Sequence, residues 1–367
     1  MYKRYIIIGL VFVLIVNLLA WICPAMCDWY TLNVTPVMVN VFGRFSDIFP
    51  FSVGEIMIVL GIVLVLISIV IGVLFIFFRK KTGYAKFTKK FYKVFFSILV
   101  GVCIVMTLNC SILYHCTPID PNPKVDYRTY TAEELEILRN YIVEKCNYYA
   151  ELMDRDEKGY IIYDGDLQKE AVNALHNISD QFPKLKGYYP DVKTLLFSDL
   201  LSQAYTGGYY FPFSVEANVN GNMYIANYPD AYCHELSHLH GYIYEDEANF
   251  IAYMACVNSE DAFFKYSGYL GVLIYVDNAY YDAINQDMDR YNSQVIVDSM
   301  VWDDTIFLTE ETWEEVEEDA FIDTETVEEI SDEFTEATLN LNGVEEGMVS
   351  YSKVVDLLLQ YYDGKLY

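Results

Sequence analysis

The chain of 367 residues carries 24 Lys and Arg against 52 Asp and Glu, a net charge of −28, while 54% of its residues are hydrophobic. One soluble globule rarely combines the two, so charge and apolarity are expected in different stretches; nucleic-acid binding is not expected, because the one dense basic stretch is enclosed between two apolar runs. Residues 1–114 hold 10 basic and 3 acidic residues, a net of +7, and residues 115–367 hold 14 and 49, a net of −35. The length suffices for one large domain or two modest ones.

Three apolar runs fill the first third: Tyr5 to Ile22, Val53 to Phe78 and Val94 to Tyr114. Each is long enough to cross a hydrocarbon core of about 30 Å as a helix. The first has the outline of a signal peptide, but its 18 residues exceed the usual apolar length and two more runs follow, so it reads as an uncleaved span. Between the second and third runs lie Arg79, Lys80, Lys81, Lys86, Lys89, Lys90 and Lys93. That loop is expected on the cytoplasmic side, which puts the N-terminus inside and both the Cys23 to Ser52 loop and everything after Tyr114 outside. The cysteines show no CxxC pair and predict no disulfide framework, although a link from Cys23 or Cys27 to Cys116 is conceivable.

From Thr117, TPIDPNPKVDYRTYTAEE reads as a stalk, so the division is a membrane domain at 1–114, a stalk at 115–130 and an outer domain at 131–367. Thr131 followed by Glu134 forms a capping-box pattern that starts a helix running to about Arg155. A second helix is expected over Asp166 to Phe182, with His176 at its surface. GGYYFPFSVEANVNGNMYIANYP then alternates aromatic and β-branched residues with Gly and Asn turn signals, which predicts a hairpin or small antiparallel sheet. Asp230 is placed to cap the next helix. The chain from Ile251 reads as helical, and the dense acidic run after Glu310 reads as a solvated helix face, since no calcium-loop pattern is present.

The chemistry gathers in AYCHELSHLHGYIYEDEANFIAY, residues 231–253. His234 and His238, four apart on a helix, share one face, and both imidazoles can reach one cation at about 2.0–2.1 Å. Glu235 between them can approach a water without ligating the metal, the position of a general base. A third ligand is expected from the acidic cluster: Glu245, with Asn249 one turn on as hydrogen-bond partner of a ligand imidazole, or Glu247, or Asp246. Gly241 allows a left-handed cap that turns the chain back. Cys233 reads as core and His240 as a cap or supporting residue. Among distant residues, Arg290, Tyr291 and Tyr351 are candidates to stabilise an oxyanion.

These motifs, with three N-terminal spans, GYYFPFSVEANVN, HELSHLHGYIYEDEANFIAY and GVEEGMVSYSKVVDLLL, resemble a bacterial family of membrane-anchored zincin-like proteins known as a domain of unknown function. More distantly, the pattern is similar to the glutamate-ligand zincin metallopeptidases. The resemblance implies three transmembrane helices followed by an α+β zincin-like domain with a small antiparallel sheet, in a multi-pass protein of the bacterial cytoplasmic membrane. It implies Zn2+ on His234, His238 and Glu245, with Glu235 as base and Asn249 in support. Two departures stand out: a short spacer between His238 and Glu245, and Asn249 where the family pattern has Asp. The resemblance also puts residues 213–219 at the sheet edge beside the cleft, with Glu216 and Asn218 binding an extended substrate by strand addition.

The expected function is thus a membrane-anchored zinc-dependent hydrolase, a peptidase acting on peptide or protein outside the membrane. The alternative is a non-catalytic zinc-binding sensor or scaffold. A transporter is disfavoured because the spans hold hardly any charge away from their ends, Glu55 being the nearest case.

Overall fold

A computed structural model describes residues 2–126, 128–342 and 353–367. Three of its helices are long and apolar enough to cross a membrane: Tyr2–Ile22, Val53–Phe78 and Thr82–His115. The third begins twelve residues before the expected Val94, because Thr82 to Lys93 lacks helix breakers after Gly83 and continues the apolar helix as a basic first half that carries Tyr84, Phe87, Phe91 and Tyr92. Only Arg79 to Lys81 is left as a connecting turn. The Cys23 to Ser52 connection is likewise helical, with Pro24–Asn33 as its longest piece.

At its far end the third helix loosens into a π turn over Thr107–Ser111, which carries Asn109. Such a turn re-aims side chains at the point where it is inserted. Here the Asn109 amide donates to the carbonyl of Pro212 at 2.7 Å. The ends of the spans away from the basic segment therefore meet the rest of the chain directly.

The meeting is built from exchanged carboxylates. Glu216 is fully buried and accepts the N–H groups of Val53 and Gly54, at 3.1 and 2.8 Å, together with the Ser214 hydroxyl at 2.6 Å. The first N–H groups of a helix have no partner within it, so a carboxylate there satisfies both hydrogen-bonding need and dipole. Glu55, in the first turn of that span, returns the arrangement by accepting Leu196 N and Phe197 N at 2.9 Å each.

Beyond the spans, Ala132–Ala150 carries the expected capping box, with both the Thr131 and Glu134 halves formed. Leu167–Ile178 follows, capped by Asp166. Against the helix Tyr228–Leu239 pack Glu245–Val257 and Ala262–Ala283, and Val354–Tyr362 packs on those two. Leu138, Ile142, Leu175, Leu236, Phe250, Ile251, Phe264, Leu273 and Leu358 form a continuous core from which water is excluded. The acidic helices Glu310–Glu318 and Thr324–Leu341 lie at the periphery.

The sheet corrects the antiparallel expectation. β1 (Lys193–Thr194), β2 (Gly208–Phe211) and β3 (Glu216–Val219) lie in the order β1-β3-β2, with β1 parallel and β2 antiparallel to β3. A two-residue strand shows no alternation to be read, and the short helix Ser198–Gln203 carries the chain across before β2. It follows that β3 is central and paired on both sides, so the edge expected for residues 213–219 belongs to β2 instead.

Candidate metal centre

Tyr228–Leu239 starts three residues earlier than a cap at Asp230 would place it. Asn227 is its N-cap and Pro229 sits in its first turn, where a missing N–H costs nothing. Asp230 is therefore a first-turn residue rather than the cap. Its carboxylate lies against the backbone of Gly271 on Ala262–Ala283, where a Cβ would come within 2.9 Å of it. Burial raises its pKa to about 6 against the opposing pull of His234.

His234 and His238 share one face of this helix, with ring centroids 4.5 Å apart. The helix ends at His240, and Gly241 adopts φ +91°, the left-handed conformation that turns the chain back. Any side chain there would strike Thr31 of the membrane-proximal segment, whose Cγ2 lies 2.4 Å from the Cβ position. The return delivers Glu245 at the start of Glu245–Val257. Its Oε2 lies 3.1 Å from His234 Nε2 and 3.5 Å from His238 Nε2. All three ligating atoms fall within 4.8 Å of one another.

The surroundings of the triad are uneven. His238 Nδ1 bonds the Tyr242 carbonyl at 2.8 Å, which aims Nε2 at Glu245. That is the task expected of Asn249, which makes no hydrogen bond to either imidazole among the described residues. Burial works against a charge on His234, but the hydrogen bond and charge of Glu245 raise its pKa to about 9. Burial opposes ionisation of Glu245 too, and the two imidazoles outweigh it, leaving its pKa well below the usual carboxylate range.

Glu235 also contacts the sheet. It is 4% exposed, its Oε2 has no hydrogen-bond partner among the described residues, and burial pushes its pKa up to about 7. It lies against β2 at Gly208, where an added Cβ would stand 2.8 Å from Oε1 and 2.4 Å from the carbonyl oxygen of Asn218. Glycine at 208 is what lets the strand and the carboxylate come together. Asn220 N donates to Gly207 O at 2.8 Å, and antiparallel pairing alternates from there, so Gly208 and Tyr210 turn their backbone groups to the open edge.

The remaining expectations divide. Glu247 faces away from the imidazoles, accepting Ile119 N at 2.8 Å, and burial raises its pKa to about 7. Asp246 bonds the backbone N–H of Glu247. His240 is buried with Nδ1 on the Lys184 carbonyl, and Cys233 is core, its sulfur 3.8 Å from Cys256. All eight cysteines are free. Glu216 and Asn218 are fully buried on the central strand, Glu216 engaged by the second span and Asn218 by the Tyr209 and Glu216 carbonyls. Arg290 pairs with Glu136 and Glu133, and Tyr291 with Asp277, away from the triad. Tyr351 lies outside the described residues.

Tyr275 escaped the sequence reading. Burial raises its pKa, and the charges of Asp230 and Glu245 add to the shift. Gly271, one turn before it, faces Asp230. Its only sequence signal is this four-residue spacing, lost among 34 tyrosines.

No curated protein and no solved structure matches the chain. The family described as protein of unknown function DUF3810 matches residues 30–359, from the membrane-proximal helix through the triad to the last helix. The chain belongs to the DUF3810 family.

Proposed function

We propose that the protein is a membrane-anchored, zinc-dependent hydrolase that cleaves peptide bonds on the membrane face opposite its basic segment, outside the cytoplasm by the charge rule. The observation that carries this reading is the convergence of two Nε2 atoms and one carboxylate oxygen at 3.1 and 3.5 Å. Donors about 2.0–2.1 Å from one tetrahedral ion stand roughly 3.3 Å apart, so the two carboxylate–imidazole distances suit zinc. Its composition, two imidazoles and a carboxylate, also suits zinc better than calcium or magnesium, which favour oxygen alone.

Zinc held there would supply Lewis acidity, polarising a scissile carbonyl and making water a nucleophile at neutral pH. The chain's own residues account for the rest. Glu235 takes a proton from water at Oε2, the atom left without a partner, and burial keeps its affinity for that proton near neutrality. Gly208 and Tyr210 offer the open edge of β2 to an extended substrate. Tyr275, whose pKa is raised by burial and by the charges of Asp230 and Glu245, is the candidate hydroxyl donor to developing negative charge. His234 and Glu245 remain 15% and 19% exposed at their side chains, which leaves the triad reachable from solvent.

The test uses the full chain in detergent or nanodiscs. Metal analysis is expected to find one zinc per chain, absent after His238→Ala, and cleavage of a mixed peptide library that stops with chelator and returns with zinc. Zinc bound without any cleavage would replace the enzyme with the sensor reading, and absence of zinc from the wild type would end both.

A further inference from the structure

The sheet that carries the open edge is fastened to the top of the membrane spans. Phe211, at the end of β2, packs its ring on Gly54 in the first turn of the second span, where an added Cβ would lie 2.8 Å away. The Tyr210 hydroxyl reaches the Asn109 carbonyl at the end of the third span, and Asn109 holds Pro212 just past the strand. The other end of β2, Gly208, lies on Glu235. β2 thus runs from the spans to the triad, and at about 3.3 Å per residue its three steps place Glu235 roughly 10 Å from the top of the second span.

Apolar side chains surround the same level without protein to cover them. Leu196 and Phe197 donate their backbone N–H groups to Glu55, which pins them beside the span, yet their side chains are 70% and 52% exposed. Phe45, Ile48 and Phe51, just before the second span, are exposed too. Such a collar, continuous with three membrane-crossing helices, matches the apolar and aromatic belt that sits among lipid headgroups.

We propose that the site acts on the stretch of a membrane-inserted polypeptide lying just outside the bilayer, laid along the open edge of β2 while Phe45, Ile48, Phe51, Leu196 and Phe197 sink into the lipid interface. This rests on the hydrolase reading above. The reaction is plain amide hydrolysis: the C–N bond breaks, water's hydroxyl goes to the carbonyl carbon and its proton to the amine, with no redox partner. A chain leaving the lipid beside the spans meets Gly208 after about three to six extended residues, so cleavage is fixed by depth and a soluble peptide must find the edge without that presentation.

The full-length protein in phosphatidylcholine–phosphatidylglycerol vesicles would be given single-span substrates whose outer flank is a mixed-sequence segment. The same flank is presented either directly, behind a ten-residue Gly-Ser spacer, or as a free peptide. Cuts mapped by mass spectrometry are expected within about six residues of the substrate span, to stay at that depth when the spacer is inserted, and to be at least tenfold slower on the free peptide. Cuts that travel outward with the flank, or equal rates on the free peptide, overturn the membrane presentation and leave the hydrolase intact. No cleavage in any arm, with Glu235→Gln indistinguishable from wild type, overturns both. Independently of turnover, a benzophenone-bearing phenylalanine analogue in place of Leu196 is expected to form a covalent adduct with labelled phospholipid on irradiation; its absence overturns the placement of the collar.

Discussion

Gly208→Ala is the sharpest probe of the arrangement of strand and carboxylate. The new methyl carbon would sit 2.4 Å from Asn218 O, 2.8 Å from Glu235 Oε1 and 3.0 Å from Glu235 Cγ. Ordinary contact begins near 3.4 Å, so β2 must retreat by about 1 Å from the central strand and Glu235 must give way as well. Swinging Glu235 aside relieves two of the three contacts; the one to the Asn218 carbonyl is backbone against backbone, so the strand itself moves at Gly208 and shifts its register against Glu235. Overpacking of this kind costs about 1–3 kcal/mol in stability, and a catalytic group displaced by about 1 Å loses on the order of 100-fold in rate. The ligands are untouched, so zinc content is expected to hold while kcat/KM falls about 100-fold and the melting temperature drops by a few degrees. Wild-type turnover in a folded Gly208→Ala protein would refute the placement of Glu235 against β2.

Four further outcomes follow from the same geometry. Tyr275→Phe, which removes one oxygen, is expected to lower kcat about tenfold or more with KM and zinc content unchanged, measured by steady-state kinetics. Glu245→Gln is expected to abolish zinc retention in metal analysis, whereas Glu247→Gln retains zinc, because Glu247 faces the Ile119 backbone. Asp230 has a folded pKa near 6 against an ordinary 3.8, so its stabilising contribution is complete below pH 3.8 and lost as pH rises through 6. Asp230→Asn is then expected to gain roughly 1–3 kcal/mol over wild type at pH 8 and almost nothing at pH 4, by chemical denaturation at the two pH values. Asp304→Ala leaves Arg155 without its carboxylate and the hydroxyls of Tyr224 and Tyr266 without theirs, and is expected to cost about 3–5 kcal/mol in the same assay.

Local signals carried well from sequence to structure. The spans, the capping box at Thr131 and Glu134, the left-handed Gly241 and the spacing of His234 and His238 all follow from neighbours within about seven residues. What could not be read depends on partners far along the chain. Nothing near Glu216 announces that its partners are the N–H groups of Val53 and Gly54, 163 and 162 residues earlier, so a conspicuous acidic residue in a conspicuous strand reads as a substrate contact. The strand order failed for the same reason, since β1 is too short to alternate and its pairing is nonlocal. Gly208 and Tyr275 matter only through contacts across the fold, and no periodicity marks them.

The exchange of carboxylates gives the long apolar helices a structural role in the fold beyond any they have in a membrane. Glu216 and Glu55 are both buried at the junction and are held by backbone N–H groups rather than by cations, Glu216 by the start of the second span and Glu55 by the residues leading into Ser198–Gln203. Hydrogen bonds to a charged group, made on both sides and out of water, resist sliding more than apolar contact does, because each lost bond leaves a buried donor or an unsolvated charge. The sheet is therefore registered against the spans to within a hydrogen-bond length. With β2 paired to β3, and β3 carrying Glu216, the height of Gly208 and Glu235 above the second span is set by a short chain of bonds through secondary structure. A linker would leave that height free; this junction makes it a fixed property of the molecule, and a site of fixed height is one that can select by distance from the bilayer.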